Sequence, residues 1–248
     1  MKLAIVLPLI FLVAACRVGS GEPSAPQSVQ KEPRLVEPAP EPELRQVVTL
    51  GDSLAFGEGD ETGLGLAGQL DRAFVQIGLE VEPTLNLGRN GSTTGDVALR
   101  LQKPEVRQAL RDADVIVLSI GANDLGRSRD LREAAYRAPL LVADQMLERV
   151  AGTVQTIRAL APGARILILG GYNPFKKSAR KNQIDRYLML WDAGLTARFE
   201  SDERIEVVTM SDLVEDETRL SSRDRFHPGQ QAYEELAARI VGMLHTAG

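Results

Sequence analysis

Asp114-Val115-Ile116-Val117-Leu118-Ser119-Ile120-Gly121 is an almost unbroken run of apolar, mainly β-branched residues that stops at a glycine. A strand with one wet face alternates apolar and polar side chains. A run without that alternation is buried on both faces, as in a parallel sheet covered by helices. Similar stretches flank it in the chain: Gln46–Leu50 before Gly51, Arg165–Leu169 before Gly170-Gly171, Ile205–Met210, and a weaker one from Val81 to Leu87. Between them apolar residues recur at helical spacing: Met146, Val150, Val154 and Ile157; Ile184, Leu188, Trp191, Leu195 and Phe199; Tyr233, Leu236 or Ala237, Ile240 and Leu244. Trp191 reads as a core residue of its helix. Strands alternating with helices predict an α/β fold with a doubly wound parallel sheet. Ligands then bind at the carboxyl ends of the strands, which directs attention to the residues after Leu50, Ile120 and Leu169.

Composition narrows the function classes. The 248 residues carry 29 basic and 34 acidic side chains, a formal charge of −5, without the basic footprint of a nucleic-acid partner. One cysteine forms no intrachain disulfide framework, and with only two histidines a structural zinc site of Cys/His type is not expected.

The first residues read as targeting rather than fold. Lys2 precedes an uncharged, mostly apolar run from Leu3 to Cys16, too short for a bilayer span of about 20 residues. Its end, Val13-Ala14-Ala15-Cys16, resembles the lipobox of bacterial lipoproteins; the other reading is an ordinary signal peptide with an incidental cysteine. The resemblance implies removal of residues 1–15, acylation of Cys16, and a protein anchored to the cell envelope rather than spanning it. Residues 17–44 hold six of the thirteen prolines and five glutamates with few apolar residues, so 16–44 reads as an anchored tether. In polyproline conformation its reach is roughly 85 Å, and as a flexible coil about 30 Å. Residues 45–248 are then the folded domain.

Three strand exits carry candidate chemistry. Gly51-Asp52-Ser53-Leu54-Ala55 can present Ser53 on a sharp turn, though it lacks the last glycine of the Gly-x-Ser-x-Gly elbow; taken alone, Ser53 reads more simply as a helix cap or a turn residue. Gly121-Ala122-Asn123-Asp124 could be only a turn. In Asp224-Arg225-Phe226-His227-Pro228 the acid can reach the imidazole Nδ1 three residues on, or Asp224 could cap a helix with Ser221 three before it.

Taken together, Gly51-Asp52-Ser53-Leu54, Asn90-Gly91-Ser92-Thr93-Thr94, Gly121-Ala122-Asn123-Asp124 and Asp224-x-x-His227, in this order, resemble the four blocks of the SGNH hydrolases, the GDSL-type esterases and lipases. The resemblance spans essentially all of 45–248. It implies a three-layer α/β/α, flavodoxin-like fold with a five-stranded parallel sheet. It also implies a Ser53–His227–Asp224 triad, and an oxyanion hole from the N–H groups of Ser53 and Gly91 and the amide of Asn123. Tyr172, Asn173 and Phe175, after the fourth strand, are expected to contact the substrate. The substrate class it implies is a small or medium acyl ester, with no metal and no other cofactor required. Lipid or lysophospholipid, O-acetyl polysaccharide or peptidoglycan, and a non-catalytic envelope-binding role are the competing readings.

Other features read as structure. Asp52 and Asp124 are expected to fix turns, and Asp96 to cap a helix with Thr93. Gly63-Leu64-Gly65-Leu66-Ala67-Gly68 fits Gly-x-Gly-x-x-Gly, but it stands a dozen residues beyond the strand a dinucleotide site would need. It reads as a loop entering a helix. His245 reads as a helix-end residue. Arg127, Arg129, Arg132 and Arg137, interleaved with Asp130 and Glu133, read as a solvated face.

Overall fold

A computed structural model describes residues 44–245. The expected leader 1–15, the tether and Cys16 lie outside those residues, apart from Leu44. That side chain packs against the core, and the next N–H, of Arg45, is held by the Asp114 carboxylate at 2.8 Å.

Five strands form one parallel sheet in the order β2-β1-β3-β4-β5. They are β1 (Val47–Gly51), β2 (Leu85–Gly88), β3 (Val115–Ser119), β4 (Arg165–Leu169) and β5 (Ile205–Val208). Alternate residues of each strand feed opposite layers. Val48, Leu50, Ile116, Leu118, Ile166 and Ile168 face helices α3 (Thr94–Arg100), α4 (Pro104–Arg111), α7 (Pro139–Leu160) and α8 (Lys181–Phe199). Val47, Val115, Val117, Leu167 and Leu169 face α2 (Gly65–Gln76) and α9 (Gln230–His245). Among the described residues there are also the short helices α1 (Ser53–Phe56), α5 (Ala122–Arg127) and α6 (Arg129–Arg137) and one 3-10 turn at Glu217–Arg219. The sequence-predicted α/β/α sandwich is therefore the fold. Trp191 is buried in α8, His245 ends α9, and Thr93 with Asp96 forms a reciprocal capping box at α3.

Two strands are shorter than the sequence pattern predicts. β2 begins at Leu85 rather than Val81, because Pro83 has no N–H to give to a ladder and the Thr84 N–H is taken by the Asp71 carboxylate at 2.9 Å. β5 ends at Val208 rather than Met210. No helix forms at Ser221, so Asp224 is not a helix cap; Ser221 Oγ instead accepts the Arg223 N–H within a turn. The Gly63–Gly68 stretch enters α2, whose Gly65 N–H is held by the Asp60 carboxylate at 2.9 Å.

The chain leaves β1 to one side for β2 and returns to the other side for β3. The exits of β1 and β3 therefore border the crevice at the topological switch point, where open α/β sheets bind ligands.

Candidate active site

Ser53 is the first residue of α1, directly after β1. The turn is sharp because Gly51 adopts φ +133°. A side chain there would put its Cβ 1.8 Å from the Ser119 carbonyl oxygen, so only glycine fits. Asp52 caps α1. Its buried carboxylate accepts the Leu54 N–H at 3.1 Å and the Ser119 hydroxyl at 2.8 Å, and the Asp52 N–H donates to the Ser119 carbonyl at 2.9 Å. Burial pushes the Asp52 carboxyl from 3.8 up to about 6, against the hydrogen bonds from Ser119 and Leu54.

His227 arrives from the other end of the chain. Its Nε2 lies 2.9 Å from Ser53 Oγ and its Nδ1 2.6 Å from Asp224 Oδ2. The second Asp224 oxygen accepts the backbone N–H groups of Phe226 at 2.9 Å and His227 at 3.0 Å. Partial burial raises the Asp224 pKa, but the imidazole and these N–H groups outweigh it and hold the carboxyl below its ordinary value. With Nδ1–H donated to Asp224, Nε2 is the acceptor for the serine proton.

The second and third blocks meet beside this chain of hydrogen bonds. Asn123 Nδ2 donates one hydrogen to the Ser92 carbonyl at 3.0 Å, which orients the amide and leaves its second hydrogen for a ligand. Asp124 ties the two blocks together, accepting the Thr94 N–H at 2.9 Å and its hydroxyl at 2.6 Å. Arg127 donates to the Gly91 carbonyl at 2.7 Å. The Ser53 N–H, in the first turn of α1, has no intrahelical acceptor. Ser53 and Asn123, two of the residues expected to supply oxyanion donors, line one cavity.

A cavity of about 540 Å³ opens at Ser53 and Asn123. Its walls are mostly apolar: Ile120 and Leu125 near the serine, Tyr136 from α6, and Ile184, Tyr187, Leu188 and Trp191 from α8. The Arg180 guanidinium stacks 4.4 Å over the Tyr136 ring and pairs with Glu133 at 2.9 Å, joining α6 to the start of α8. Burial pushes the Tyr187 phenol up to about 12. At the rim Phe175 and Phe226 pack with ring centroids 5.7 Å apart, and both are substantially exposed.

Of the three residues expected to meet substrate, Tyr172 and Phe175 line this cavity. Tyr172 donates its hydroxyl to the Phe226 carbonyl at 3.1 Å, and burial raises its pKa. Asn173 is a correction. It is buried, with its amide donated to Asp185 at 2.7 Å and its carbonyl accepting the Phe175 N–H at 2.8 Å, so it braces the loop. The α8 wall escaped sequence reading because a helical apolar stripe looks the same whether it faces a core or a cavity.

The chain belongs to the GDSL-like lipase/acylhydrolase family, whose family model matches residues 49–235, and it is a hydrolase of carboxylic esters. Among relatives, it is 26% identical to the uncharacterized protein YpmR of Bacillus subtilis, over 99% of this chain and 96% of that one. It is also 26% identical to the spore germination lipase LipC of Bacillus licheniformis, over 79% of this chain and 94% of the relative. The crystal structure of the lipase Lip_vut3 from goat rumen metagenome superposes with a TM-score of 0.68 at 23% identity, covering 80% of this chain and 96% of that one.

Proposed function

We propose that the protein cleaves esters of medium-chain acyl groups through a Ser53–His227–Asp224 triad. The observation that carries the substrate class is the apolar cavity leading from Ser53 to the α8 wall. An acetyl group would leave most of it empty. The name of the lipase relative agrees with a chain of this kind.

His227 Nε2 takes the Ser53 proton as Oγ attacks the ester carbonyl carbon. Asp224 orients the imidazole and stabilises its charged form. The carbonyl oxygen, now an oxyanion, is met by the N–H groups of Ser53 and Gly91 and the free hydrogen of the Asn123 amide. Collapse breaks the bond to the leaving alcohol, which takes the proton from His227. Water, deprotonated by the same imidazole, then attacks the acyl-enzyme, releases the carboxylic acid and restores Ser53.

A series of p-nitrophenyl esters tests the substrate class. Each methylene buried in the cavity is worth about 0.8 kcal/mol, so kcat/KM should rise about fourfold per methylene from the acetate until the cavity is full. An optimum at the acetate would replace this reading with O-deacetylation. No hydrolysis of any ester, with Ser53 inert to a fluorophosphonate probe, would favour a non-catalytic binding role.

The enzyme is proposed to work at the cell envelope, held by a lipid on Cys16. The support is the Leu3–Cys16 run with small residues before the cysteine. Labelled fatty acid should enter the wild type and not Cys16→Ala; an unlabelled wild type would overturn the anchor.

A further inference from the structure

The residues that hold His227 and Asp224 in place lie outside all four sequence blocks. Ser221–Gly229 is a loop of turns and bends with no helix of its own, and Arg225 within it takes φ +55°. Internally it is closed by the Ser221 N–H on the His227 carbonyl at 2.8 Å and the Arg225 N–H on the Ser221 carbonyl at 2.9 Å. Those bonds shape the loop without fixing it to the part of the molecule that carries Ser53.

Besides the Tyr172 hydroxyl on the Phe226 carbonyl at 3.1 Å, one carboxylate supplies that link. Glu61 Oε1 accepts the Ser222 N–H at 2.7 Å and the hydroxyls of Ser221 at 3.1 Å and Ser222 at 3.2 Å. Its Oε2 accepts the Gln230 N–H at 2.7 Å. Ser221 lies three residues before Asp224, and Gln230 three residues after His227, so the two oxygens grip the loop on either side of the acid–base pair. The loop also reaches back: Arg223 donates to the carbonyls of Asp60 at 3.1 Å and Glu61 at 3.0 Å.

Glu61 itself stands on firm ground. Its neighbour Asp60 is buried, and its carboxylate accepts the Thr62 N–H and hydroxyl, the Gly65 N–H at the start of α2, and the Gln69 amide. Gly59 approaches so closely that an added Cβ would fall 2.6 Å from the His227 Cβ. Partial burial raises the Glu61 pKa, but the N–H groups of Gln230 and Ser222 and the Ser221 hydroxyl more than reverse this and hold it at about 2. The carboxylate is therefore charged at any pH at which a neutral imidazole works.

We propose that Glu61 is a positioning residue for ester hydrolysis, fixing both ends of the Ser221–Gly229 loop so that His227 meets Ser53. The proposal rests on the triad reading above. It predicts a defect mainly in the chemical step, because the loop gives the cavity only Phe226, at the rim, the other walls come from other segments, and Glu61 does not line them.

The test uses Glu61→Gln in the full chain. The amide keeps size and one acceptor oxygen but turns an N–H₂ toward the Gln230 N–H. A misplacement near 1 Å costs about 100-fold, so kcat should fall about 10–100-fold with KM within about twofold. Phosphonylation of Ser53 by a fluorophosphonate should slow by the same factor. Gln230→Pro is the second variant. Gln230 is the first residue of α9, where proline is tolerated, so this change deletes the N–H held by Oε2 and leaves the helix intact. It should lower kcat in the same direction, by less.

If wild-type Ser53 is labelled and both folded variants keep wild-type kcat and labelling rate, Glu61 has no positioning role and the triad reading stands. A rise in KM matching any loss of kcat, in either variant, would mark general loosening and also overturn the proposal. If Glu61→Gln fails to fold, Gln230→Pro decides alone. If wild-type Ser53 is not labelled, the triad reading falls and takes this proposal with it.

Discussion

The two halves of the proposed catalytic centre are built by different means. Ser53 and Asn123 sit at the ends of β1 and β3, neighbouring strands locked in register from Val47↔Val115 to Gly51↔Ser119. Their position is a backbone matter, set by the sheet and by a glycine at Gly51 that no other residue can replace. Asp224 and His227 ride on a loop outside the sheet, held by the Glu61 carboxylate from about 160 residues earlier. The difference teaches that the carboxyl edge of a sheet places a side chain mainly through its backbone and one capped turn, whereas a loop outside the sheet has to be pinned by individual hydrogen bonds.

The sharpest way to break this comparison is to remove the two halves separately. Ser53→Ala should lower kcat by about 10⁵–10⁶-fold, and His227→Ala by a similar factor, since residues acting as one unit are not additive. The double variant should be no slower than either single one. Additive losses in ester hydrolysis would mean that the halves do not work together. Next in size is Asn123→Ala, expected to lower kcat about 10²–10³-fold with little change in KM. An unchanged kcat would remove Asn123 from the oxyanion site and leave only backbone donors there.

A smaller effect separates the halves by pH. The Asp52 carboxyl is raised in the folded protein, from 3.8 to about 6. Between those values the native state binds more protons than the unfolded chain, so this group's contribution falls as pH rises from about 4 to about 6. The loss is on the order of 2–3 kcal/mol. Asp52→Asn should therefore gain on the wild type across that window, read as urea midpoints at pH 4 and pH 7. Parallel pH curves for the two proteins would refute the buried-acid account. Glu61 has the opposite sign: its depressed pKa means that its contribution is present above its ordinary value and fades only as pH falls toward about 2. The smallest expected effect is Leu188→Phe in the cavity wall. It should reduce kcat/KM for the longest ester accepted by roughly fourfold for each methylene displaced, while hydrolysis of the acetate ester stays within about twofold. Loss of both activities equally would show that the wall and the centre are not separable.

What was legible in the sequence follows the same division. The strands that lead to Ser53 and Asn123 announce themselves because buried parallel strands leave unbroken apolar runs and end at glycines; the two residues, each alone a cap or a turn, stand out only through the order of the four blocks. The Asp224–His227 pairing is legible because three residues suffice to bring a carboxylate to an imidazole. Glu61 is illegible, since its bonds to Ser221, Ser222 and Gln230 exist only after distant segments meet. Asn173 shows the reverse error: its place after a strand end suggested a substrate contact, yet its amide is consumed by Asp185 and its own loop. Likewise Pro83 shortens β2 because a missing N–H matters more than apolar content.

The cavity wall from α6 and α8 contributes none of Ser53, Asn123, Asp224 or His227, and it is latched through Arg180 to Tyr136 and Glu133. For protein engineering this is a separable cassette. Replacing the Arg129–Arg137 and Lys181–Phe199 segments, with their latch, offers a route to new acyl selectivity on an unaltered hydrolytic frame.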